Sequence, residues 1–135
     1  MRLTEAQRAF LDRPLHAVVA TLRRDGTAVQ SVVWYARDGD ELWLSVAPDS
    51  VKVAHLRRDP RVAVLVLGAD GGAYLALEGT ATVAGEVGAA ERLALVGRYL
   101  GEASARAFVA QNPLPRPNAR VRIRPTRAVE YNLPA

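Results

Sequence analysis

The chain contains no cysteine, a single lysine and a single methionine, and few aromatic side chains, at 6%. Without cysteine there is no disulfide, no thiolate nucleophile and no thiolate metal ligand. The two histidines, His16 and His55, lie far apart in sequence and make no zinc pattern, so no metal site is expected. No apolar run approaches the roughly 18 residues that a membrane helix requires. The opening Met1-Arg2-Leu3-Thr4-Glu5-Ala6-Gln7 lacks the apolar stretch of a signal peptide, so a cytoplasmic protein with no membrane partner is expected. The formal charge is +4 with a pI near 10.1, but the basic residues are dispersed. Arg120-Val121-Arg122-Ile123-Arg124 alternates charge with apolar residues and carries no interleaved aromatic, which describes the wet face of a strand better than a nucleic-acid stripe. No nucleic-acid partner is expected, whereas a small polyanionic ligand suits the charge.

Half of the 135 residues are hydrophobic and 24% are charged, which places residues 1–135 in one packed domain. Thr4 and Gln7 form a capping-box pattern ahead of Ala6, Phe10 and Leu11 at helical spacing, and Pro14 stops it. His16 to Leu22 and Ala28 to Tyr35 read as strands joined by the Asp25-Gly26 turn. A second polar turn, Arg37 to Asp40, leads into Glu41–Val46, so the first third reads as a three-stranded antiparallel meander. Arg61–Leu67 is too continuously apolar to have a wet face and is expected to be a central strand. Tyr74–Val83 follows, interrupted at Gly79, where a bend or bulge is expected. Ala89–Leu100 and Ser104–Gln111 form a helical excursion, Pro113, Pro115 and Pro117 mark a loop, and two strands, Val121–Ile123 and Ala128–Tyr131, close the chain. Six to seven antiparallel strands around one core predict a mainly β protein, a small closed barrel with a few short helices.

The one lysine occupies a distinctive place. The strand ending Ser45-Val46 passes through Ala47-Pro48-Asp49 into Ser50-Val51-Lys52, which reads as a helix start. Such a start offers unpaired amides and the positive end of the helix dipole, while Ser50 adds a hydroxyl and Lys52 a mobile charge. Phosphate fits this corner, although the same residues also describe a capped surface helix with a solvated lysine.

Five further segments, taken in order with that corner, carry a resemblance. They are Val19-Ala20-Thr21-Leu22-Arg23-Arg24-Asp25-Gly26, Ser31-Val32-Val33-Trp34-Tyr35, Asp38-Gly39-Asp40-Glu41-Leu42-Trp43, Leu56-Arg57-Arg58-Asp59-Pro60-Arg61-Val62-Ala63 and Glu78-Gly79-Thr80-Ala81. Over nearly its whole length the chain resembles the flavin-binding split β-barrels related to pyridoxamine 5′-phosphate oxidase, in particular the small actinobacterial-type members that use the deazaflavin coenzyme F-420. The preference for arginine over lysine agrees with a GC-rich, actinobacterial source. The resemblance implies an antiparallel, Greek-key-like split barrel and a homodimer whose cofactor lies in a cleft touched by both chains. It implies that Ser50, Val51 and Lys52 hold the cofactor phosphate with Arg57 nearby, and that Ser31, Val32 and Val33 run beside the ring. Ser45 and Val46 would end the strand feeding the corner, and the second chain would contribute from the strand beginning at Tyr74. Val29-Gln30 and the Gly71-Gly72 turn depart from the pattern of relatives.

The function so implied is F-420-dependent hydride transfer to or from a small conjugated or quinone-like substrate. An FMN-binding oxidase or reductase of the same fold, and a non-catalytic F-420 carrier, are the alternatives. No catalytic acid or base stands out. His55 reads as a helix-surface or phosphate-corner residue, His16 as a strand-start residue and Glu78 as a strand carboxylate paired with an arginine. Trp34 and Tyr35 read as packing residues that also suit the wall of a substrate cleft.

Overall fold

Thr4 opens the first helix as its spacing with Gln7 predicts. In the computed structural model, which describes residues 1–134, the Gln7 amide donates to Thr4 Oγ1 at 3.1 Å and the Thr4 amide to Gln7 Oε1 at 2.9 Å. Helix α1 (Glu5–Leu11) thereby satisfies two amides that have no intrahelical partner, and it turns Phe10 and Leu11 into the core. Strands β1 (Ala17–Leu22) and β2 (Ala28–Val33) form the expected hairpin. Its turn is set by Gly26 at a φ of 88° and by Asp25, which accepts from the Thr27 amide at 2.9 Å. Strands β3 (Ala36–Asp38) and β4 (Glu41–Val46) follow, then α2 (Val51–Arg58), β5 (Arg61–Leu67), β6 (Tyr74–Glu86), α3 (Ala89–Leu100), α4 (Glu102–Gln111) and β7 (Ala119–Tyr131).

The seven strands form one antiparallel sheet in the order β2-β1-β5-β6-β7-β4-β3. The expected meander is therefore corrected. The third long strand, β4, does not return beside β2 but crosses to the far side of the sheet, where Leu42 pairs with Ile123 and Val46 with Ala119. Non-local pairing wins because β4 alternates buried Leu42, Leu44 and Val46, matching Val121 and Ile123 on β7. The closed barrel is corrected as well. β2 and β3 remain the two sheet edges, yet only Trp34 and Tyr35 separate them in the chain. Two residues span roughly 11 Å at most, so the sheet curls until its edges face each other across an unpaired seam. This is the split form of the barrel.

Inside the curl lie Val19, Leu42, Leu44, Val64, Val66, Leu75, Leu77, Val121 and Ile123, all buried. The outer face differs from the expectation for β5, whose residues alternate between buried and exposed instead of being covered on both sides. Cross-strand pairing aligns one outer row, Val32-Val18-Leu65-Ala76-Val129, across five strands. Val32 and Val129 at its ends are 67% and 50% exposed. β5 is apolar on both faces, and within a single chain only one of them is covered.

β7 is a single 13-residue strand where the sequence suggests two. Pro125 lacks an amide donor, and the register absorbs the defect: Glu78 pairs with Arg127 and Gly79 with Pro125, leaving Thr126 as an extra residue. The irregularity expected at Gly79 is thus present, and the glycine is sterically required. A Cβ there would sit 2.2 Å from the Arg124 carbonyl oxygen. Gly79→Ala is expected to destabilise the fold by about 1–3 kcal/mol through forced backbone displacement, seen as a lowered urea midpoint. An unchanged midpoint would show that the two strands separate there without cost.

Candidate functional site

The seam is fixed by the two residues that cross it. Tyr35 is fully buried, and its hydroxyl donates to the Leu11 carbonyl at 3.0 Å, with the Arg13 carbonyl at 3.2 Å. Burial pushes its phenol above the ordinary tyrosine range, so it remains a protonated donor. The Tyr35 amide donates to the Tyr99 hydroxyl at 3.2 Å, and that hydroxyl donates to the Leu15 carbonyl at 2.8 Å. Beside it, Arg98 Nη2 donates to the Leu11 and Arg13 carbonyls at 2.7 and 2.6 Å, and Nη1 to the Asp12 carbonyl at 3.0 Å. The last turn of α3 is thereby tied to the C-terminal end of α1, where a cation complements the helix dipole.

Trp34 is the other crossing residue. Its ring stacks on Tyr99 with centroids 4.8 Å apart and a 7° interplanar angle, and meets Phe108 of α4 at 6.2 Å and 47°. It walls a cleft of about 520 Å³ at the open end of the seam, within the range of small-molecule sites. The strand side consists of Val32, Val33, Trp34, Ser45, Val46 and Ala47. Ser50 and Lys52 form one corner, Arg92, Leu95, Val96 and Phe108 the helical cover, and Asn112, Leu114 and Asn118 the loop side.

Ser50 caps α2 with extended backbone geometry, its hydroxyl accepting from the Val53 amide at 3.3 Å. The amides of Val51 and Lys52 precede that contact and have no acceptor within the helix. Lys52 Nζ donates to Ser31 Oγ at 3.0 Å, which draws the half-buried ammonium toward β2. Among the described residues no carboxylate and no imidazole lines the cleft. The corner therefore presents an ammonium, two hydroxyls and helix-start amides, a donor set suited to phosphate, while the neighbouring Asp49 carboxylate faces Arg116 at 3.8 Å.

Seven of the residues singled out in the sequence meet here: Val32, Val33, Ser45, Val46, Ser50 and Lys52 line the cleft, and Ser31 is held by Lys52. Three do not. The Val51 side chain is exposed, Arg57 is exposed on the last turn of α2, and Tyr74 lies at the far end of β6, stacked on Tyr131 at 5.5 Å. His55 is neither a surface nor a corner residue. It is buried, with Nδ1 2.9 Å from Thr21 Oγ1, because α2 packs that side against β1. His16 is exposed at the start of β1, and Glu78 pairs with Arg127 at 3.6 Å, both as expected. The helical cover and loop were missed. Arg92, Leu95, Val96, Phe108, Asn112, Leu114 and Asn118 belong to segments that read only as an amphipathic excursion and a proline loop. Asn118 donates to Ser45 Oγ at 3.0 Å and Arg92 Nη2 to the Asn112 carbonyl at 2.7 Å, contacts that sequence spacing does not reveal.

Tyr99→Phe removes the acceptor of the Tyr35 amide and the donor to Leu15. It is expected to lower stability by about 1–3 kcal/mol and to speed hydrogen exchange of the Tyr35 amide; unaltered exchange would show that the hydroxyl does not pin the seam.

Comparison with known proteins follows this geometry. The family model described as pyridoxamine 5′-phosphate oxidase matches residues 3–132. A solved structure described as an F-420 reductase is 28% identical, with 94% of this chain and 98% of that one covered and a TM-score of 0.71. A conserved hypothetical protein from Mycobacterium tuberculosis is also 28% identical, over 96% of this chain and 84% of its own, with a TM-score of 0.72. General stress protein 26 from Bacillus anthracis shares the fold at 16% identity, over 99% and 97% of the two chains, with a TM-score of 0.71.

Proposed function

Because this chain belongs to the pyridoxamine 5′-phosphate oxidase family, we propose that its seam cleft binds coenzyme F-420 and that the protein is an F-420-dependent oxidoreductase acting on a small conjugated or quinone-like substrate. The observation that carries this reading is Lys52, 3.0 Å from Ser31, set at the capped start of α2 in a cleft with no acidic lining. The 28% identity to an F-420 reductase over nearly both full lengths supports the choice of coenzyme.

The residues present fit such a group. Ser50, Lys52 and the free amides of α2 would hold its phosphate, with Val51 supplying backbone and Arg57 adding positive potential from the same helix. Ser31, Val32 and Val33 would flank the flat ring, and Ser45 and Val46 would close its edge. When bound, the coenzyme supplies the hydride-exchanging carbon itself. The task of this chain is then to orient two flat molecules face to face and to exclude water, which Trp34, Leu95, Val96 and Phe108 accomplish with apolar surface. No residue is assigned as a proton donor, since no carboxylate or imidazole among the described residues lines the cleft. The same feature describes a non-catalytic F-420 carrier, and the phosphate corner alone serves FMN equally. Separate fluorescence titrations with F-420 and FMN, followed by reoxidation of reduced F-420 in the presence of menadione, distinguish the three.

Lys52→Ala forfeits a charge-assisted contact worth about 1.5–3 kcal/mol and is expected to weaken F-420 binding roughly tenfold to a hundredfold while the protein stays folded. Equal affinity of the variant in a fluorescence titration would remove Lys52 from the site.

The outer apolar row supports a homodimer. Val18, Leu65 and Ala76 continue between the exposed Val32 and Val129, and a second copy of the chain would cover them. Tyr74, on the same outer face, would then be the contribution of one protomer near the cleft of the other. Sedimentation is expected to give twice the 14.6 kDa chain mass, and Ala76→Arg to give the single chain mass. A monomeric wild type would remove this role for the face.

A further inference from the structure

Among the described residues two cations line the cleft, Lys52 at the start of α2 and Arg92 on the helical cover. Arg92 lies in the first turns of α3, on the helical cover, where it is half-buried and forms no ion pair with any described carboxylate. One of its five N–H groups is engaged, Nη2 donating to the Asn112 carbonyl at 2.7 Å. That contact fixes the guanidinium against the end of α4 without neutralising it. The surrounding lining is flat or apolar on one side, Trp34 and Phe108 at 6.2 Å, and amide-bearing on the other, Asn112 and Asn118. A fixed guanidinium beside an aromatic wall recognises a planar molecule that carries a carboxylate, because the fork geometry pairs two N–H groups with two oxygens.

We propose that the α3–α4 side of the cleft is the substrate subsite and that Arg92 makes it selective for planar conjugated substrates bearing a carboxylate. This rests on the assignment of the Lys52 corner to the coenzyme, and it adds a substrate class that the assignment does not contain. The two cations divide the work. Lys52 and the start of α2 take the phosphate, while Arg92, approaching from an element inserted between β6 and β7, takes the acid of the second molecule. Trp34 supplies the stacking surface, held flat by Tyr99 at 4.8 Å.

The test uses 9,10-anthraquinone-2-carboxylate and its uncharged 2-carboxamide as probes, with binding measured by calorimetry on the protein saturated with F-420. The wild type is expected to bind the carboxylate at least tenfold more tightly than the amide. Arg92→Gln is expected to erase that preference by weakening the carboxylate alone, and Arg92→Lys to restore part of it. F-420 affinity, titrated separately, is expected to stay within about twofold for both variants, and their melting temperatures report whether the tie to Asn112 was structural. Equal binding of the two probes by the wild type overturns the proposal, as does a preference that survives in Arg92→Gln. A loss of F-420 binding in Arg92→Gln also overturns it, by placing Arg92 in the coenzyme site. Failure of the wild type to bind F-420 at all is a separate result, which removes the coenzyme assignment; the probe preference is then read on the protein alone with the same two outcomes.

Discussion

Everything at the cleft depends on how Trp34 and Tyr35 cross between the two edges of the sheet. A seven-stranded antiparallel sheet has two rows of unpaired backbone groups, and here a two-residue link forces those rows to confront each other. Tyr35 fixes the crossing from below through buried hydrogen bonds to the end of α1. Tyr99 fixes it from the side. With the backbone held, Trp34 has one direction left, outward, where it becomes the aromatic wall of the opening. The start of α2 lies at the same opening because β4 ends there. The corner at the start of α2 and the aromatic wall are therefore two results of one closure.

Local chemistry made part of this legible. The Thr4–Gln7 box, the Asp25-Gly26 turn, the Ser50 cap and the defect at Gly79 each depend on residues within a few positions of one another or on a single missing side chain, and each is where the sequence places it. Non-local pairing was not legible. Nothing in Glu41–Val46 says that its partner is a strand more than 70 residues away, because an alternating apolar pattern fits any complementary strand. Val121–Ile123 and Ala128–Tyr131 read as two strands, whereas the extra residue Thr126 lets one long strand pass through. β5 reads as wholly buried because Ala63, Leu65 and Leu67 are apolar too, yet the alternation of burial leaves their face the open one.

The site divides along the same line. The corner could be read because the Ser50 cap and Lys52 are neighbours in sequence. The cover could not, because Arg92, Phe108 and Asn118 come together only after α3 folds back over the barrel, held there by Arg98 on the α1 carbonyls and Tyr99 on Leu15. His55 shows the converse error. Its place in the first two turns of α2 reads as surface or corner, but the helix turns it inward to Thr21.

α3 and α4 enter the chain as an excursion between two strands that are themselves directly paired from Tyr74–Tyr131 to Glu86–Ala119. The sheet register is thus complete without them. The excursion is tied back to the barrel by Arg98 on the α1 carbonyls, by Tyr99 on Leu15 and by Glu91 on Arg120 of β7. The opening thus has two halves of different origin: one wall is set by the sheet and by α2, the other by a segment that the sheet register does not require.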